Sequence, residues 1–393
     1  MESGMTQTLQ SYLDAIGKGA ALEGTTWNPG DAQLRADLHD QFFMNIVQGY
    51  FLYQGATADH PDFTPNYNNV LRLQPNPDDT YVRTEVDGSG VYRLSGERGT
   101  IRLLTVTLGR DVIGTTETPG GQTAEYDLDE CLTFAEDGTF ECLFSAERPE
   151  GYDGQWLCMP AETNGFLIRR RAYDWQNERD PRLAIERLDV SPLKPRPSAE
   201  QVESRLMGLA EYAERHSRQW LRYQDQIRDR GIVNRIEHHG FSELGGIRVQ
   251  QYWWGMFQIE PGEALILETE IPDTAPYWNI QLNDEIWNTL EYVWRQSHLN
   301  GHQAHLDSDG KFRAVISVDD PGVPNWLDTV GRLQGTMVGR WYKCSSHPVP
   351  TLKKVKLAEV RDHLPSDTPV IDAQERDARI RARARSLQMR TKW

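Results

Sequence analysis

From about Tyr81 onward, apolar and polar residues alternate with a period of two, the signature of half-buried strands. The runs YVRTEVDGSGVYRLSGERG, TIRLLTVTLGRDVIG, ECLTFAEDGTFECLFSAERPEG and GFLIRRRAYDW read as strands joined by DGSG, ERG and EDG turns. FAEDGTF is the clearest hairpin signal. The pattern resumes in IRVQQYWWGMFQI, EALILETEI, YWNIQLN, HQAHLDSDGKFRAVISV and GTMVGRWYKC. Between the two strand-rich stretches stand a proline-rich linker, LDVSPLKPRPS, and a long amphipathic helix with Ser198 as N-cap and Gly231 as its stop. The residues before Tyr81 have helical spacing instead, in TLQSYLDAIGKGAALEG and in DAQLRADLHDQFFMNIVQGYFLYQ, the latter capped by Asp31.

This order predicts an α+β, mainly β, chain: two antiparallel jelly-roll- or sandwich-like β-domains with N-terminal and central helices. The expected divisions are a helical segment 1–75, a first β-rich domain 76–190, a linker and helix 191–231, a second β-rich domain 232–360 and a basic helical tail 361–393. At 393 residues, two domains or one large two-layer domain is expected.

The net charge of −16 argues against nucleic acid as the main partner. The tail RDARIRARARSLQMRTKW breaks the trend with seven basic residues and one acid. It is expected to lie on an acidic neighbouring subunit of a homo-oligomer, its alkyl stems covering apolar surface. No run approaches the roughly 18 apolar residues of a membrane helix. The opening stretch lacks the basic and apolar regions of a signal peptide, so a cytoplasmic protein with reduced thiols at Cys131, Cys142, Cys158 and Cys344 is expected.

PNPDDTY, YRLSGERGT, YWNIQLNDEIWNTLEY and DDPGVPNWLDTVGRLQGTMVGRW resemble bacterial proteins carrying the domain of unknown function numbered 1214, often found with its companion numbered 1254. The resemblance spans roughly residues 76–357 and is most specific at PGVPNWLDT. It implies a pair of β-rich, jelly-roll-like domains with helical additions, in proteins associated with terpenoid, steroid and other lipid metabolism. It implies little chemistry.

The first candidate site is PNPDDTYVR. On a strand, Asp79, Tyr81 and Arg83 share one face, and two adjacent carboxylates beside an arginine are raw material for acid–base catalysis. The competing structural reading is a turn at Asn76-Pro77-Asp78-Asp79. The second site is PGVPNWLDTVGRLQGT, where Asn325, Trp326, Asp328 and Arg332 stand in a proline-stiffened loop. Trp-rich strands, including Trp278, fit either a core or an apolar cavity wall. NDEIWNTLE echoes a magnesium-binding pattern, but Trp287 stands where that pattern wants Ser or Thr. The histidines of SHLNGHQAH read as a surface turn, and His238 and His239 as a polar loop.

The functional expectation is a cofactor-independent enzyme acting on a small, largely apolar terpenoid-, steroid- or lipid-like substrate. Isomerisation, cyclisation, hydration, dehydration and hydrolysis are all compatible. Asp78 or Asp79 would be the acid or base, Tyr81 and Arg83 would orient or stabilise charge, and Asn76, Trp278 and the Asn325–Asp328 loop with Arg332 would bind substrate. No cofactor is expected, with a divalent cation left open should the fold gather Asp and Glu. The alternatives are a lipid- or carbohydrate-binding or scaffold protein, and a carbohydrate-active enzyme with paired carboxylates.

Overall fold

The computed structural model describes residues 8–67, 70, 72–118, 120–240 and 246–392, so the first seven residues of the opening stretch lie outside it. Helices α1 (Leu9–Gly17) and α2 (Ala32–Gln54) lead the chain, and Asp31 caps α2 by accepting from the backbone of Gln33 and Leu34.

The first β unit pairs two sheets. One has the order β1 (Thr64–Pro65), β2 (Asp79–Glu85), β8 (Gly165–Arg171), β4 (Leu103–Arg110), β5 (Gly121–Asp127). The other runs β7 (Trp156–Cys158), β6 (Thr139–Ser145), β3 (Tyr92–Glu97), β9 (Arg182–Arg187). Val82, Leu104, Val106, Phe166 and Ile168 of the first sheet meet Tyr92, Leu94, Phe140 and Phe144 of the second in one core. The FAEDGTF turn forms, with Gly138 at φ +82°, but its leading arm is not a strand. Asp127 accepts from the Asp129 N–H and starts a short helix, α3 (Leu128–Cys131), in its place.

Helix α4 (Ala199–Asp229) follows the exposed linker. Ser198 and Gln201 form a reciprocal capping box, and Gly231 adopts the left-handed φ of +64° just past the end. Ser198→Ala is expected to lower stability by about 1 kcal/mol, read as a shift of the urea midpoint without a change in slope.

The second unit repeats the first strand for strand. One sheet runs β10 (Arg235–His239), β11 (Gln250–Gln258), β17 (Gln334–Tyr342), β13 (Tyr277–Asn283), β14 (His298–Asn300). The other runs β16 (Trp326–Asp328), β15 (Phe312–Ser317), β12 (Glu263–Thr269), β18 (Thr351–Lys356). The correspondence includes the parallel edge pairs, β6–β7 in one unit and β15–β16 in the other. The chain therefore contains an internal duplication of a two-sheet β unit. His238 and His239 lie on β10, paired to Trp253 and Tyr252, rather than in a loop.

Helix α5 (Ala373–Met389) carries the basic tail, and several of its arginines make contacts within the chain. Arg376, Arg383 and Arg390 are spaced by seven, so they share a face, and all three are buried. Arg376 binds Asp320 and the Val323 carbonyl. Arg383 donates to the Tyr292 carbonyl and lies 4.5 Å over the Trp175 ring. Arg390 pairs with Asp180 at 2.7 Å and donates to the carbonyls of Asp78 and Arg170. The tail is a clasp that touches both β units. No helix among the described residues is long and apolar enough to cross a membrane.

Candidate functional site

Alternation along β2 decides where the opening cluster points. Val82 and Thr84 are buried on the strand's other face, Val82 within its own unit's core, whereas Asp79, Tyr81 and Arg83 line a cavity of about 200 Å³ enclosed largely by the two units. The opposite wall carries Gln250, Tyr252, Val338 and Arg340 from β11 and β17, and helix α4 adds Trp220. Five arginines (83, 110, 169, 171 and 340) and two aspartates (79 and 111) are among the lining residues.

The duplication places equivalent pairs on the two walls. Tyr81 stands opposite Arg169 in the β2–β8 register, and Tyr252 opposite Arg340 in the β11–β17 register. Each guanidinium lies over its tyrosine ring, at 5.9 Å for Arg169 and 5.7 Å for Arg340. Arg169 donates to Thr107 Oγ1 at 2.5 Å, and Arg340 to Gln281 Oε1 at 2.7 Å.

The two adjacent aspartates have separate environments, because a one-residue step along a strand reverses the face. Asp79 is held by Arg171 through two bonds, Nε to Oδ1 at 2.6 Å and Nη2 to Oδ2 at 2.8 Å. Tyr81 Oη and Asn76 Nδ2 also donate to Asp79 Oδ2. Burial pushes the Tyr81 phenol up, and the Asp79 carboxylate adds to the effect.

Asp78 leaves the cavity and enters a buried polar hub. Trp175 Nε1 and Asn300 Nδ2 donate to Oδ1 at 2.8 and 2.6 Å; Tyr277 Oη and Asn279 Nδ2 donate to Oδ2 at 2.7 and 3.1 Å. His298 Nε2 lies 2.9 Å from Oδ2. Burial alone would raise the Asp78 carboxyl, but His298 and the surrounding donors hold it down at about 2. Burial pushes the His298 imidazole down. Arg383, which can only donate, contacts its Nδ1 at 3.2 Å, so Nε2 carries the proton given to Asp78. His298 is thus fully buried on β14 rather than in a surface turn. Sequence spacing missed it because β14 has only three residues, too few to show a period.

Other expected site residues lie outside this cavity. Asn76 joins Asp79 to the hub, donating to Tyr277 Oη and accepting from Asn279. Trp278 packs in the second unit's core against Phe312 and Trp341. Asn325 is bound to the backbone of His305 and Arg313, and the Trp326 indole to the Ser317 carbonyl. Asp328 pairs with Arg295, and Arg332 with Asp37 of α2. The two polar clusters of the sequence therefore do not share one pocket. Asp284 accepts from Ile286 and Asn288, Glu285 pairs with Arg228, and Glu291 pairs with Arg72 at 2.7 Å, so the three acids of NDEIWNTLE do not converge. Among the described residues, no group of three or more His, Cys, Asp or Glu is arranged to hold a metal.

Backbone strain concentrates at the cavity. Seven non-glycine residues among those described have positive φ, and four of them, Tyr67, Gln74, Asp111 and Trp287, are lining residues. Such positions cost on the order of 1–3 kcal/mol each and cluster where function requires them.

A family model described as "Protein of unknown function (DUF1214)" matches residues 78–177 and 264–346, one stretch in each β unit, which bears out the resemblance. The crystal structure of an uncharacterised protein from Burkholderia cenocepacia is similar at 27% identity and a TM-score of 0.82, covering 89% of this chain and 96% of that one. The VPA0106 protein from Vibrio parahaemolyticus is 13% identical with a TM-score of 0.45, covering 81% of this chain and 99% of that one. No curated protein matches the chain.

Proposed function

Starting from a chain that carries the DUF1214 family match in both of its β units, we propose that it binds a small organic molecule in the cavity between them. The observation that carries this reading is the pair of equivalent Tyr–Arg units, Tyr81–Arg169 and Tyr252–Arg340, brought to one cavity by the duplication. A concave site between domains, with aromatic walls and a few placed polar groups, is the usual form of a ligand pocket. Tyr67, Trp220, Tyr252 and Trp287 supply walls for the apolar body expected of the ligand. The jelly-roll-like description of each unit is likewise part of the proposal, supported by the pairing of two sheets around one core.

A second reading, acid–base catalysis, is favoured by the 3.1 Å bond from Tyr81 Oη to Asp79 on the cavity wall. In that reading Tyr81 and Asp79 face the substrate and Asp78 shapes the strand from behind. No cofactor forms part of either reading.

Ile113 lines the cavity from a half-buried loop position and packs against the cluster that includes Trp220, Tyr252 and Trp287, so a larger side chain there narrows the space. Native mass spectrometry after incubation with a small-metabolite extract is expected to show a bound species that Ile113→Trp excludes. A species retained equally by the variant, or none on the wild type, contradicts the binding reading.

A further inference from the structure

Arg83 projects from the middle of β2 into the cavity. Among the described residues its guanidinium has no ion-pair partner, and its Nε, shut off from solvent, has no hydrogen-bond partner. The groups that feel its charge are Glu85, outside ion-pairing distance, and the phenols of Tyr212, Tyr67 and Tyr53. Gly165 on the neighbouring strand makes room for it, because a Cβ there would sit 2.6 Å from Arg83 Nη2. Among the described residues, two more donors on the cavity wall lack partners, Gln74 Nε2 and the indole N–H of Trp220, itself only 6% exposed. Among the described residues, the wall's unpartnered buried acceptors are Asn66 Oδ1 and Gln122 Oε1, both uncharged.

Arg83 is half-buried, with its Nε shut off from solvent, so its charge is only partly hydrated in the free protein and a bound anion would supply the missing counter-ion. We infer that the ligand of the inter-unit cavity carries an oxyanion, a carboxylate or a phosphate, and that Arg83 binds it, with the N–H groups of Trp220 and Gln74 on the walls of the same cavity. This rests on the binding reading above and adds the chemical class of the ligand. The guanidinium fork suits either oxyanion through paired N–H donors. The strained aromatic wall at Tyr67 and Trp287 then takes the apolar remainder. Such a ligand is amphipathic rather than wholly apolar.

The test is calorimetric titration of the full chain with 2-naphthoate, 2-naphthyl phosphate and the neutral 2-naphthalenemethanol, on wild type, Arg83→Met and Arg83→Lys. At least one anion should bind wild type about 10-fold or more tighter than the alcohol, and which anion does so separates carboxylate from phosphate. The preference should vanish in Arg83→Met and return in part in Arg83→Lys. An alcohol that binds wild type as tightly as both anions, or a preference retained by Arg83→Met, overturns the inference. The binding reading is judged separately by Ile113→Trp, so each can fail without the other.

Discussion

Arg171→Met is expected to lower the free energy of unfolding by about 3–5 kcal/mol, the usual cost of removing one partner from a fully buried ion pair. Both members of the Arg171–Asp79 pair are 1% exposed, and both Asp79 oxygens accept from the guanidinium. Without Arg171, the Asp79 charge keeps only the donors Asn76 and Tyr81. Arg171 also ties the two β units. Its Nη1 donates to Gln250 Oε1 at 2.8 Å, and its guanidinium lies 4.2 Å over the Tyr277 ring. Replacing both members, in Asp79→Asn with Arg171→Met, is expected to recover at least half of the loss, because no uncompensated charge remains. Urea unfolding of the two single variants and the double variant measures this. A single-variant cost below about 1 kcal/mol would show that the pair is not buried as described.

The second large effect is on the acid side. His216 of α4 is fully buried, and neither ring nitrogen has a partner among the described residues. Burial pushes its imidazole from 6.5 down to about 3. The folded state therefore resists a proton that the unfolded state accepts. The cost begins as pH falls below 6.5 and is complete near 3. Within that window wild type should lose about 1.4 kcal/mol per pH unit relative to His216→Phe, approaching about 5 kcal/mol in total. At pH 8 the variant should be at least as stable, because the ring in Tyr212–His216–Trp220 packing needs no hydrogen bond. Parallel curves of stability against pH for the two proteins would remove the assignment.

The sequence disclosed more of the strands than of their partners. The period of two put Asp79, Tyr81 and Arg83 on one face, and all three line the cavity. The caps at Asp31 and Ser198 and the stop at Gly231 were readable because their bonds are local. The duplication left one readable trace, DGTFECLFSAERP in the first unit and DGKFRAVISVDDP in the second, but a single pair of segments so far apart makes no short-period repeat. Strand β5 escaped because its uniformly half-buried positions show no alternation, and β9 because only Leu183 and Ile185 carry its apolar face. The two adjacent aspartates looked interchangeable. Their environments come from Arg171 and His298, 92 and 220 residues away. The residue types of Asn325, Asp328 and Arg332 suggested a pocket wall, but their partners pin loops and α2. A count of arginines showed that the tail was basic. Only the helix face made of Arg376, Arg383 and Arg390, set against Asp320, Tyr292 and Asp180, shows that it turns inward.

The most direct measurement is a crystal structure of the protein with the metabolite that native mass spectrometry identifies. The predicted result is a ligand between the β2–β8 and β11–β17 faces, touching Tyr81 and Arg83 on one side and Tyr252 and Arg340 on the other. A ligand seated on one β unit alone, with the space between the units closed by side chains, would contradict it.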